Sequence, residues 1–157
     1  MMTSMRIICV ACVVLASGCA RTPGWTHYDR SMDLLSRGEY EKAVEELESC
    51  VRLNAAEPEF TNRLAWILAT CPRESIRDGE RAVSLATNAC EATRWAHPYK
   101  LDTLAASYAE AGKFDEAVKW QEKALSRLSD DRYRVMYQAR LDLYKDSKPY
   151  REGLGLP

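Results

Sequence analysis

The sequence predicts an all-α protein made of helix pairs stacked side by side, and three observations carry that reading. Within residues 98–125, Leu101, Leu104, Ala105 and Tyr108 recur at helical spacing, and after Gly112 a second stripe of Phe114, Ala117, Trp120, Ala124 and Leu125 follows. Gly38, Tyr40 and Ala43 repeat the spacing of Gly112, Phe114 and Ala117, so the turn that opens the last pair also occurs in the first third of the chain. A weaker copy lies between them, and the anchoring alanines Ala43, Ala82 and Ala117 are 39 and 35 residues apart. Two of these turns carry a glycine because a residue without Cβ takes the left-handed conformation that closes a helix.

The elements follow in chain order. Arg6, the apolar run 7–16 and the small Ser17 and Gly18 have the charge, core and cleavage region of a signal peptide, assigned to residues 1–18. The run is shorter than the roughly 20 apolar residues that a bilayer span needs. Residues 19–24 form a mature N-terminus and linker, and 25–144 the helical domain. Its first repeat, about 25–57, pairs a helix near 25–36 with one near 40–53. His27 and Arg30 replace large apolar residues in the first helix, as a terminal unit with one unpartnered face tolerates. The second repeat, about 58–97, has a helix near 59–70 stopped by Pro72, then a surplus stretch 73–77. Asp78 caps its second helix, near 79–92. The third repeat spans 98–131. A seventh helix near 132–144, with Asp131 as its cap, presents Tyr133, Met136, Tyr137, Arg140, Leu141 and Tyr144 on one side and covers the flank of the third repeat. Residues 145–157 lack periodicity and read as an extended or mobile tail.

Composition excludes several function classes. The net charge is −1 and the mean hydropathy −0.39, so there is neither a basic field for nucleic acid nor the apolar content of an integral membrane protein. His27 and His97 stand in different repeats, and no Gly-rich phosphate loop, H-E-x-x-H or G-x-S-x-G occurs. No enzyme, metal or cofactor is expected. Cys9 and Cys12 leave with the signal, and Cys50, Cys71 and Cys90 remain as small buried hydrophobes. Cys71 ends one helix while Cys90 lies about 18 Å along its antiparallel neighbour, at 1.5 Å per residue, so no disulfide is expected.

Leu101-x2-Leu104-Ala105-x2-Tyr108 resembles the W-x2-L-G-x2-Y pattern of tetratricopeptide repeats, with Leu for Trp and Ala for Gly. The resemblance implies three such repeats and a capping helix in a short right-handed α-solenoid. The phrasing of 62–72, 101–105 and 117–125 is similar to repeat cassettes of planctomycete-type bacteria, which often stand beside kinase or propeller domains; this chain has room for neither. The stretch 15–19 (LASGC) resembles the permissive form of the bacterial lipobox, which implies cleavage behind Gly18 and lipidation of Cys19. Ala20 rather than Asp at the second place implies sorting to the outer membrane, facing the periplasm. The alternative is an ordinary secretory signal and a soluble periplasmic protein.

In this family the first helices of the pairs line a concave surface that holds protein or peptide segments. Aligning the repeats brings Tyr28, Asn62 and Asp102 to equivalent places, with Met32, Trp66 and Ala106 one turn later and Glu59 and Tyr99 one turn earlier. The implied partner-binding groove therefore presents the aromatic surface of Tyr28, Trp66 and Tyr99, the two-way hydrogen-bonding amide of Asn62, and the carboxylates of Glu59 and Asp102. Its occupant is an extended segment with an apolar side chain and a basic one. The plainer reading makes Trp66 core and Asn62 and Asp102 solvated helix face. Asp102 would repel a C-terminal carboxylate, so the Lys/Asn/Arg clamp of some family members is not carried over. Two functions stay open: a membrane-anchored adaptor that grips a partner in the groove, or a structural subunit buried permanently in a larger envelope assembly through its open end at Trp25, Tyr28 and Met32.

Overall fold

The computed structural model describes residues 23–153. Seven α-helices appear among them and no strand: α1 (Pro23–Ser36), α2 (Tyr40–Leu53), α3 (Pro58–Thr70), α4 (Gly79–Ala92), α5 (Pro98–Glu110), α6 (Phe114–Arg127) and α7 (Arg134–Lys145). The helices pack as consecutive pairs, α1 on α2, α3 on α4 and α5 on α6, with α3 beside α5 and α7 against α6. This is an α-solenoid of the tetratricopeptide type. The signal segment and Cys19 lie outside the described residues.

The second helices of the pairs share one buried stripe. Ala43, Leu47 and Cys50 on α2, Ala82, Ala86 and Ala89 on α4, and Ala117, Gln121 and Ala124 on α6 are all fully buried. Each triple follows the i, i+4, i+7 spacing of a helix face, and its small residues let neighbouring axes approach closely. Leu64, Ala65 and Leu68 of α3 and Leu101, Leu104 and Ala105 of α5 meet these stripes from the other helix of the pair. In α1 the equivalent of Ala65 and Ala105 is Ser31, which is buried with its hydroxyl returned to the Tyr28 carbonyl at 2.6 Å.

Helix ends follow local chemistry. Each first helix begins on a proline, Pro23, Pro58 or Pro98, whose fixed φ and missing N–H suit the first turn. Gly38 and Gly112 sit at φ +72° and +74°, and the amides of Glu39 and Lys113 reach back to Leu34 O and Tyr108 O. That is the Schellman closure expected from the sequence. The middle pair differs. Residues 73–77 include a 3-10 turn (Glu74–Ile76), and the Asp78 amide donates to Leu68 O at 3.0 Å while its carboxylate accepts from Arg81 N–H. Gly79 stands where the other pairs have Tyr40 and Phe114, because an added Cβ would lie 2.5 Å from the Ala111 backbone nitrogen.

α7 starts two residues later than the sequence suggests. A 3-10 turn (Asp131–Tyr133) precedes it, and Asp130, not Asp131, accepts the capping bond, from Arg132 N–H at 3.0 Å. Asp131 instead pairs with Arg134 on the surface. After α7, Ser147 takes φ +55° and the Lys148 amide closes on Leu143 O at 2.9 Å. Tyr150, Arg151 and Glu152 then pack back against α3, so this part of the tail has fixed partners despite its lack of periodicity.

Candidate functional site

α3, α5, α7 and the returning tail enclose an open groove of about 380 Å³. Five of the six residues placed in the groove from the sequence line it: Glu59, Asn62 and Trp66 from α3, and Tyr99 and Asp102 from α5. Tyr28 does not. Its ring packs against Trp25 and Phe60 in the α1–α3 interface, and its hydroxyl donates to Glu59 Oε1 at 3.3 Å. Met32 lies on the far side of Glu152, in a second hollow of about 340 Å³ with Leu35, Tyr40, Ile67 and Arg63.

The side chains fall into three chemical groups. Tyr99, Tyr133 and Met136 are 42%, 47% and 44% exposed, and with Trp66 they give the groove an aromatic and thioether surface available to a partner. Glu59, Lys100 and Tyr99 form a chain: Lys100 Nζ donates to Glu59 Oε2 at 3.3 Å and to the Tyr99 hydroxyl at 2.7 Å. Lys100 is buried, so its charge is held by these oxygens rather than offered to a ligand. The third group surrounds Asp102.

Asp102 is not the free anion the repeat alignment suggests. It is 5% exposed, and Arg140 of α7 takes both oxygens, Nε to Oδ1 at 2.8 Å and Nη2 to Oδ2 at 2.9 Å. Gln121 Nε2 donates to the same Oδ1 at 2.8 Å and to the Tyr137 carbonyl at 3.1 Å. A buried carboxylate needs such partners, and the planar guanidinium fits it bidentately. Burial pushes the Asp102 carboxyl above its ordinary value, against the pull of Arg140 and of the Gln121 amide. Burial likewise opposes the Arg140 charge, and the Asp102 carboxylate more than offsets it. Asp102 thus locks α7 onto α5, and the solvated-face reading fails for it as well. Asn62 is also buried, and its Oδ1 accepts no hydrogen bond within the described chain.

Arg140 does more than pair with Asp102. Its guanidinium lies 5.6 Å from the Trp66 ring centroid, 5.0 Å from Tyr137 and 5.4 Å from Tyr150, in cation–π range of all three. Sequence reasoning placed Arg140 on the apolar side of its helix without giving it a partner. A charge in an apolar stripe was the available signal, and Gln121 in the buried stripe of α6 was its counterpart. Lys100, Tyr150 and Glu152 had no comparable signal.

Among the described residues no cluster of His, Cys, Asp and Glu could hold a metal ion. His27 faces Glu46 and His97 lies beside Tyr99, in different parts of the molecule. Cys50, Cys71 and Cys90 are buried free thiols. No described helix is long and apolar enough to cross a membrane.

Residues 100–128 match the tetratricopeptide repeat family model, a stretch that covers most of α5, the Gly112 turn and all of α6. The match supports a tetratricopeptide repeat protein, and such repeats generally mediate protein–protein interaction. No curated protein matches the chain.

Proposed function

We propose that this chain is a non-enzymatic adaptor that holds a protein or peptide segment on the concave surface of α3, α5 and α7, tethered to the cell envelope through a lipidated Cys19. The observation that carries the groove reading is the exposure of Tyr99, Tyr133 and Met136 around one opening whose floor is the rigid Asp102–Arg140 pair. Large apolar side chains exposed together on a fixed frame mark an interaction surface. The tether rests on the sequence 15–19 alone. Acyl chains contribute about 0.8 kcal/mol per buried CH₂, so several chains hold a protein on a bilayer without a spanning helix. Outer-membrane sorting follows from Ala20 by resemblance.

A photo-crosslinking side chain placed at Tyr99 or Met136, and as control at Glu45 or Ser84 on the second helices, tests the surface. The groove positions are expected to capture one defined partner from envelope extracts. Capture from Glu45 or Ser84 alone would move the interface to the outer face and favour a subunit embedded in an assembly. For the tether, Cys19→Ala is expected to leave the membrane fraction or remain uncleaved; the same mature species still sedimenting with membranes refutes it.

A further inference from the structure

The chain's own residues 150–152 run along one wall of the groove, with Tyr150 and Glu152 lining it. The Tyr150 ring packs on Trp66 with centroids 5.8 Å apart, and the Arg140 guanidinium lies over its ring. Arg151 pairs with Glu110 Oε2 at 2.6 Å, and its Nη1 reaches Ala69 O at 3.4 Å. The Glu152 amide donates to Thr70 O at 2.8 Å, and its carboxylate accepts from Trp66 Nε1 at 3.2 Å. Three consecutive residues thus fill three chemically distinct subsites. One is an aromatic slot beside an indole and a guanidinium. The next is a cation site, where a carboxylate adjoins the C-terminal carbonyls of α3, the negative end of that helix. The third is an indole N–H that donates to a carboxylate. All three strap residues stay partly exposed, unlike the core.

The strap also divides the concave face. Glu152 and Arg63 line both the 380 Å³ groove and the 340 Å³ hollow beside α1. A segment laid across the first helices of all three pairs must therefore lift residues 150–152, and it then meets the three subsites they leave.

We propose that residues 150–152 are a displaceable occupant of the partner site, and that the partner's anchoring segment repeats their order: aromatic, basic, acidic. This rests on the reading of the concave face as the partner surface. A segment without the basic residue would leave Glu110 with Arg77 alone and the end of α3 short of a cation. One without the aromatic would leave the face of Trp66 uncovered.

The competition has a calculable size. A tethered segment competes at an effective concentration of order 1 mM. If the free segment binds with a Kd of about 0.1 mM, the strapped form outweighs the open one about tenfold, and the intact chain binds the same segment about tenfold more weakly. The probe is a fluorescein-labelled hexapeptide with the sequence of residues 148–153, read by polarisation. A chain ending at Lys148 keeps the bond from its amide to Leu143 O that closes α7. It is expected to bind the peptide about tenfold more tightly than the full chain, and a peptide with Arg and Glu exchanged is expected not to bind. Full chain carrying Tyr150→Ala and Arg151→Ala, which retains residues 154–157, should bind between the two. A folded truncated chain that ignores the peptide, or takes the exchanged one equally well, overturns the proposal. So does loss of the cooperative melt on truncation, which would make the strap part of the fold. Persistent crosslinking from Tyr99 and Met136 without peptide binding refutes the strap alone, whereas loss of both refutes the groove itself.

Discussion

The Asp102–Arg140 pair offers the sharpest test of how the groove is built. Both side chains are 7% exposed, and the pair spans α5 and α7. Asp102→Ala leaves a guanidinium in a nearly dry site with no carboxylate, and removal of one member of a buried pair costs about 3–5 kcal/mol. At roughly 3 °C per kcal/mol for a chain of this size, Tm should fall by about 10–15 °C. Arg140→Met should cost a similar amount by stranding the carboxylate. The double variant should cost less than the sum by about 2–3 kcal/mol, since neither charge is left alone. Urea titrations of the four proteins, followed by circular dichroism and tryptophan fluorescence, give this cycle directly. Single variants costing under about 1 kcal/mol, or strictly additive costs, would refute the interlock.

The pH dependence of the same site has a definite sign. Burial raises the folded Asp102 carboxyl above the ordinary value of about 3.9, despite Arg140 and Gln121. Between those two values the folded chain keeps a proton that the unfolded chain has released, so this group's contribution to stability declines as pH rises through that window and is flat above it. The stability of the wild type relative to Asp102→Asn should therefore fall as pH increases from about 4. A difference that grows with pH would mean a carboxyl depressed by its partners.

Two further variants and reagents probe the packing. Gly79→Ala places a Cβ 2.5 Å from the Ala111 nitrogen, backbone that cannot swing aside, and should cost about 1–3 kcal/mol, whereas Gly112→Ala meets nothing within 4 Å and should cost only about 1 kcal/mol for its positive φ; chemical denaturation compares them. Burial pushes the Cys50 thiol to about 11 and the Cys90 thiol to about 12, so both should resist alkylation at pH 8 in the folded chain and react on unfolding, as site-resolved mass spectrometry would show.

The helices were legible because their signals are local. A stripe such as Phe114, Ala117, Trp120, Ala124 and Leu125 and a left-handed Gly112 each act within a few residues. The middle pair was visible as a weaker copy, but the cause of its difference was not, because the backbone that excludes a side chain at Gly79 belongs to the end of α5. The groove was legible only in part. Alignment of the pairs brought Asn62, Trp66, Tyr99 and Asp102 to one surface, but it treated Asp102 as free because Arg140 lies 38 residues further along the chain, on a helix outside the repeats. The strap had no periodic signal at all. Its order comes from tertiary partners: the carbonyls of Ala69 and Thr70, the Trp66 indole and Glu110.

The inserted loop of the middle pair and the strap meet at one carboxylate. Glu110 Oε1 accepts from Arg77 Nε of the loop at 2.9 Å, and Oε2 pairs with Arg151 of the strap at 2.6 Å. The three side chains are only 13–18% exposed, so the central anion bridges two cations that would otherwise repel each other in a poorly solvated site. Glu110→Gln should loosen both attachments by about 1–2 kcal/mol, equivalent to roughly 5- to 30-fold faster local opening. Hydrogen exchange reads each end separately, through the Glu152 amide held by Thr70 O and the Asp78 amide held by Leu68 O. Arg77 retains its bond to Cys71 O at 3.0 Å, whereas Arg151 keeps a bond within the strap, to Tyr150 O, and outside it only the longer one to Ala69 O at 3.4 Å, so the strap should open more than the loop. Arg151→Ala should accelerate the Glu152 amide alone. If Glu110→Gln leaves the Glu152 amide as protected as before, the carboxylate does not hold the strap, and the Trp66 and Thr70 contacts alone keep the groove occupied.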